Sequence, residues 1–454
     1  MRHIHSRFRH PPRLVRSRSM DRRRFLWLMS TAGVGLSTGV MHGCATDPVS
    51  GDTVLVGMSQ AQEVNVDRQQ SPHQFSADYG PVQAEGVNDY LSGLGTQLAG
   101  VSHRPDMPYS FRAVNANHVN AYAFPGGSIG VTRGMLVETE NEAEMAGLLG
   151  HEVGHVAARH AAEQAGKTMV AQAAVAGGAL YASTRDPALG NAVAGLGSLG
   201  AGAMLAHYSR NNERESDELG MEYMVKADQN PDGMAGLMDV LRSKSKSRPS
   251  AMELMFSTHP PSEERYQTAR RRAAEQYAQY RNAPMNRERF MDETAPIHRL
   301  KPTILEQQKG EKEMGREAFG AAERHFRSAV DLTPDDYTGN VLLGKSLLAQ
   351  EKPREANRYF QRATSIYPRE AQAHHLSGLT AIHAGNFESA YEQFDRYEQL
   401  LPGNPNTTFL KGYALESMDQ KRAAAEAYYR YLQQVNRGKA AEYSYQRLQS
   451  WGYL

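Results

Sequence analysis

Cysteine is nearly missing from this chain: Cys44 is the only one in 454 residues. That excludes an internal disulfide and any zinc site built from several thiolates. An excess of one charge is missing as well. Lys and Arg number 51 against 50 Asp and Glu, a net +1, so the overall balance draws the chain to neither nucleic acid nor acidic partners. Beyond residue 44 no run of 18 or more large apolar residues occurs, so the body is expected to be soluble and to contain no spanning helix.

The charge asymmetry that exists is local. The first 24 residues hold nine arginines and one acid, Asp21. Residues 22–44, RRRFLWLMSTAGVGLSTGVMHGC, pass from a basic cluster through an apolar stretch to small residues and the cysteine. That is the order of an export signal. DRRRFL resembles the twin-arginine motif, with Asp21 where Ser or Thr is commoner. MHGC resembles a bacterial lipobox, in which the cysteine becomes the lipidated first residue. Residues 1–44 therefore read as an export signal, with Met20 a candidate start and Cys44 a candidate lipidation site; plain cleavage and an uncleaved anchor stay open.

The C-terminal third carries a period of 34 residues. Ala322, Ala356, Ala390 and Ala424 are in step, as are Phe326, Phe360, Phe394 and Tyr428. Pro334, Pro368 and Pro402 close successive units, and Gly310, Gly344, Gly378 and Gly412 stand twelve residues ahead of the alanines. The length and pattern resemble the tetratricopeptide repeat, a helix–turn–helix unit stacked into a solenoid with a concave groove. Four units are expected, at 303–336, 337–370, 371–404 and 405–438, with a capping helix over 439–454.

The chemistry lies between. LLGHEVGHVAARH (148–160) sets His151 and His155 four residues apart with Glu152 after the first. On a helix, i and i+4 share a face, so both imidazoles reach one metal ion. A catalytic zinc wants a third protein ligand and an open position. His160 is five residues from His155, hence off that face, and reads as an ordinary polar residue. SRNNERESDELGMEYM (209–224) offers Glu213 and Asp217 on one face of a second helix, with Gly220 permitting close packing. The stretch 138–166 reads as one long helix with an acidic start, and 166–206 as a loosely packed helical pair, a membrane-touching lid staying open. YSFRAVNANHVNAYAFPGGSIGVTRGML reads as two or three short strands around a Pro125-Gly126-Gly127 turn.

HExxH followed by ExxxD resembles metallopeptidase family M48, and NAYAFPGGSIGVTRGML and STHPPSEER (257–265) resemble further family segments. CATDPVSG and the repeats are similar to the exported bacterial branch, the beta-barrel assembly-enhancing proteases. The resemblance implies one Zn2+ per chain on His151, His155 and Glu213. It implies Asp217 bonded to a ligand histidine, Glu152 as general base, and Arg265 steadying the transition-state oxyanion. His259 would be a regulatory fourth ligand; a plain turn histidine stays open. Substrate backbone would add to an edge strand at Ser128, Ile129, Gly130 and Val131.

The expected fold is mainly α (α+β): a zinc-metallopeptidase domain over 45–300 with a small edge β-sheet and an HExxH helix, followed by the α-solenoid. The implied role is an envelope endopeptidase acting on unfolded or misassembled proteins, its repeats docking outer-membrane clients or assembly machinery. The implied place is the bacterial periplasm, with lipid anchorage to the outer membrane, which Ala45 after the cysteine favours. A chaperone or scaffold with a resting or structural zinc is the competing class.

Overall fold

The computed structural model describes residues 44–46, 48–51, 53–167, 208–247 and 249–454. The export signal before Cys44 and the stretch 168–207 lie outside the described residues. No described helix is long and apolar enough to cross a membrane.

Two short strands, β1 (Cys44–Thr46) and β2 (Thr53–Leu55), pair antiparallel. Helix α1 (Gln60–Ala77) starts on a capping box in which Ser59 and Gln62 satisfy each other's backbone amides. Its buried face is polar: Glu63, Asp67, Ser71 and Ser76 point inward. Three of these bond outward. Glu63 pairs with Arg104 and Arg159, Asp67 accepts the amide of Ser128, and Ser76 donates to Glu370. Helix α2 (Glu85–Gly100) is apolar on one face, with Val87, Leu91, Leu94 and Leu98 buried.

Strands β3 (Ser110–Val114), β4 (Ala121–Ala123) and β5 (Ser128–Thr132) form a sheet in the order β3-β5-β4. β3 runs parallel to β5, and β4 antiparallel to it. β5 is thus the central strand, paired on both sides, and Ser128–Val131 offers no edge. This corrects the expected substrate strand. The flanking strand β4 packs against the metal-motif helix instead. The bonds from Phe124 N to Ser128 O and from Thr132 N to Asn120 O make residues 120, 122 and 124 face β5. By alternation, the backbone groups of Ala121 and Ala123 turn away from it.

After the short α3 (Arg133–Leu136), helix α4 (Glu142–Ala157) begins at Asn141, whose side chain accepts the amide of Glu144. Every residue of α4 is buried. It ends earlier than the expected long helix, because Arg159 adopts φ 57 and breaks the run. Helices α5 (Arg210–Lys226), α6 (Asp232–Ser247), α7 (Pro249–Thr258) and α8 (Glu263–Glu275) complete this part, followed by α9 (Arg287–Glu293) and α10 (Ala295–Arg299).

The rest is helix pairs: α11 (Lys301–Gly315) with α12 (Phe319–Leu332), and α13 (Tyr337–Ala349) with α14 (Pro353–Ile366). α15 (Ala371–Ala384) pairs with α16 (Phe387–Leu400), and α17 (Pro405–Ser417) with α18 (Lys421–Leu432), before a final α19 (Lys439–Ser450). The in-step glycines explain the register. A Cβ on Gly310, Gly344, Gly378 or Gly412 would come within 2.8 Å of the ring of Phe326, Phe360, Phe394 or Tyr428. Each aromatic ring thus seats against bare backbone, and each is fully buried.

The leading helices of the first three pairs are docked on the chain's own N-terminal part. Arg133, fully buried, pairs with Asp336 at 2.7 Å and also bonds Asn117 and Gln307. Gln308 donates to Asn117 O, Thr338 to Asn115 O, and Gln372 to Ser76 O.

Candidate metal centre

The site is made where α4 crosses α5. A Cβ on Gly150 would lie 3.0 Å from Gly220 O, and one on Gly220 would lie 2.9 Å from His151 N. Two bare backbones therefore touch, which brings α5 close enough for its first turns to reach the imidazoles of α4.

His151 Nε2 and His155 Nε2 are 3.0 Å apart. Glu213 Oε1 lies 3.3 Å from His155 Nε2, and Oε2 lies 3.6 Å from His151 Nε2. His259 Nδ1 is 3.3 Å from His151 Nε2 and 3.1 Å from Glu213 Oε1. All four donors lie within 4.8 Å of one another and are buried. Ligands about 2.1 Å from a tetrahedral ion sit roughly 3.3 Å apart, so these spacings fit one ion. The donor set, nitrogen and carboxylate oxygen, suits zinc.

Burial drives His155 well below the ordinary imidazole pKa, which keeps it neutral, the form that ligates. Burial also works against the Glu213 anion, but the imidazoles of His155, His259 and His151 around it outweigh that and hold its pKa low. His259 likewise resists charging through burial, yet Glu152 and Glu213 prevail and raise its pKa.

The outward nitrogens are also held. His151 Nδ1 is 2.9 Å from Asp217 Oδ1, as expected. Arg265 grips Asp217 with two nitrogens, at 2.6 and 2.7 Å, while Nη1 reaches Pro260 O and stands 2.8 Å from Glu213 Oε2. Its guanidinium is therefore engaged with the carboxylates of Asp217 and Glu213.

His160 is not the ordinary polar residue expected. The left-handed turn at Arg159 carries it back, so that its Nδ1 sits 2.9 Å from His155 Nδ1 and its Nε2 sits 3.2 Å from Glu215 Oε2. It is buried and lies outside the donor cluster. Tyr208 also escaped notice; its ring stacks on His155 with centroids 3.9 Å apart. Neither was legible, because both contacts depend on turns outside the helical period.

Glu152 lies beside the donors, fully buried, and among the described residues neither carboxylate oxygen has a hydrogen-bond partner. Burial raises its pKa, with His259 and His151 opposing. Among the described residues Glu152 is thus an unbonded, desolvated carboxylate beside the four candidate donors.

Comparison with known proteins agrees with this geometry. The model of peptidase family M48 matches residues 86–273, and a tetratricopeptide repeat model matches 341–405. Residues 86–273 are a family M48 peptidase domain. Relatives include the beta-barrel assembly-enhancing protease of Yersinia pestis, 29% identical over 48% of this chain and 46% of the relative. Two from Escherichia coli (strain K12) are metalloprotease YcaL, 33% identical over 37% of this chain and 63% of the relative, and metalloprotease LoiP, 29% identical over 42% and 70%. The chain spans less than half the length of the assembly-enhancing proteases it matches. The matched M48 domain holds α4, α5 and the whole of the metal centre.

Proposed function

We propose that this chain is a zinc-dependent endopeptidase of the bacterial envelope, hydrolysing misfolded or unassembled outer-membrane proteins. The observation that carries the reading is Glu152, buried beside His151, His155 and Glu213 and without a hydrogen-bond partner among the described residues. Zinc on those three residues would supply Lewis-acid polarisation at the scissile peptide. Glu152 removes a proton from the attacking water and returns it to the departing amine, a role worth roughly 10² to 10⁴ in rate. Asp217 and His160 hold the ligand imidazoles in orientation through their outer nitrogens. Extended substrate backbone pairs along β4, the strand beside α4, which favours unfolded chains over intact domains.

The envelope setting rests on the export-type N-terminus and on the names of relatives such as the beta-barrel assembly-enhancing protease of Yersinia pestis. Lipidation at Cys44 would tether the enzyme to the outer membrane. Recruitment of clients or assembly machinery through the repeats falls to surfaces other than those docked on residues 76–133.

His259 at the fourth corner supports a second reading, a resting or closed zinc in a scaffold. Casein digestion by the full chain separates the two. Cleavage that a chelator abolishes, zinc restores and Glu152→Gln removes without loss of metal supports the enzyme. Zinc retention with no cleavage, in wild type and in His259→Ala alike, sinks it.

A further inference from the structure

Tyr208 stands two residues before α5 and is not one of the four candidate donors. The local chain fixes it there. Ser209 and Asn212 form a capping box at the start of α5, and Asn212 also donates to Glu163 at 3.0 Å. Further along the helix, Ser216 Oγ lies 3.3 Å from His160 Nδ1. With the start of α5 held in this way, the half-buried Tyr208 ring lies face to face with His155, tilted by only 20°. Their centroids are 3.9 Å apart, and no other ring pair among the described residues is closer than 4.6 Å. The neighbouring imidazoles meet His155 at steeper angles, 82° for His151, 72° for His160 and 57° for His259. The Tyr208 ring also reaches His160 and His259, with centroids at 5.9 and 6.0 Å.

We propose that Tyr208 is a positioning residue of the metal centre, its ring face holding the His155 imidazole more tightly once Nε2 has given its lone pair to Zn2+. The inference rests on the zinc assignment within the endopeptidase reading and deepens it. Distance carries the argument. Aromatic pairs usually settle with centroids roughly 4.5–7 Å apart, offset or edge to face, because both π faces are negative. A face-on contact at 3.9 Å between two neutral rings gains little from electrostatics. Coordination drains electron density from the imidazole, and an electron-poor ring over a phenol face is attracted much as a cation is. The contact is therefore worth more with the ion bound than without it, and that difference reads out as zinc affinity. The hydroxyl is not required, since the ring face alone supplies the attraction. Tyr208 also complements His160: one holds the imidazole from its face, the other at its Nδ1 edge.

Zinc affinity of the full chain, measured by competition with a chromogenic chelator, is the test and needs no turnover. Tyr208→Phe should match wild type within about twofold, because it keeps the ring face. Pentafluorophenylalanine at position 208 keeps nearly the shape of Phe and reverses the charge of its face. Affinity should then fall about 3- to 10-fold relative to Tyr208→Phe. Equal affinity for those two rings overturns the inference, since shape alone would explain the packing. A double-mutant cycle locates the effect. Tyr208→Leu acts through His155, so joining it to His160→Ala should cost clearly less than the product of the two single losses. Joined to Asp217→Asn, which acts on His151, it should come close to that product. Full multiplication with both partners overturns the inference as well. A Tyr208→Leu chain with a lowered metal-free unfolding midpoint and unchanged zinc affinity marks the ring as packing only, and also overturns it. Wild type that takes up no zinc defeats the zinc assignment and this inference together, whereas tight zinc that is indifferent to fluorination defeats the inference alone.

Discussion

His160 Nδ1 lies 2.9 Å from His155 Nδ1, on the side of the ring opposite the donor cluster. With His155 Nε2 turned to the metal centre, its Nδ1–H must donate outward. His160 accepts at Nδ1 and donates from Nε2 to Glu215. The chain His155–His160–Glu215 is the counterpart, on the second ligand, of His151–Asp217–Arg265 on the first.

Removing that partner should loosen the metal. His160→Ala is expected to lower zinc affinity by roughly 10- to 100-fold, measured by competition with a chromogenic chelator. His160→Gln, which retains an acceptor, should recover part of it. Unchanged affinity in His160→Ala would contradict the orienting role.

His259 occupies the corner that a working site leaves for water or substrate. Its ring is 3.1 Å from Glu213 and 3.6 Å from Glu152. His259→Ala should therefore raise basal casein digestion several-fold while zinc remains bound. Activity that falls instead would make the ring catalytic or structural rather than a brake.

Arg133 and Asp336 join the peptidase domain to the repeats across a fully buried contact. Breaking one side strands a charge, so Arg133→Ala should destabilise the chain by about 3–5 kcal/mol in urea unfolding. Arg133→Met combined with Asp336→Asn, which keeps the oxygen that caps α13, should cost clearly less. A loss in the single variant no larger than in the double would refute the strand-charge argument. Deleting the repeats outright would confound the proposed recruitment with this exposure.

Glu370, at the start of α15, receives a hydrogen bond from Ser76 of α1 at 2.5 Å. Burial pushes its carboxyl up to about 7 from 4.5, against the hydrogen bonds of Ser76 and of the Gln372 amide. A raised folded pKa gives stability that is complete below about pH 4.5 and lost as pH rises through 7. Glu370→Gln escapes that loss. Its stability relative to wild type should climb between pH 4.5 and 7, reaching roughly 3 kcal/mol at most. Denaturant midpoints across that range provide the check, and a flat difference would exclude the titration.

The amino-acid sequence by itself determined the paired imidazoles of the candidate site and the solenoid, because both are written in periods. Histidines at i and i+4 share a face wherever a helix forms, and a glycine sixteen residues ahead of an aromatic, repeated every 34, can pack in one way. Only tertiary structure decided which strand is flanking, what Arg265 grips, and that His160 returns to His155. Strand order, the partner of a long flexible side chain and the exit from a left-handed residue at Arg159 depend on groups from other elements, and no local period records them. The docking of the repeats on residues 76–133 belongs there too, since its buried pair, Arg133 and Asp336, joins positions 203 residues apart.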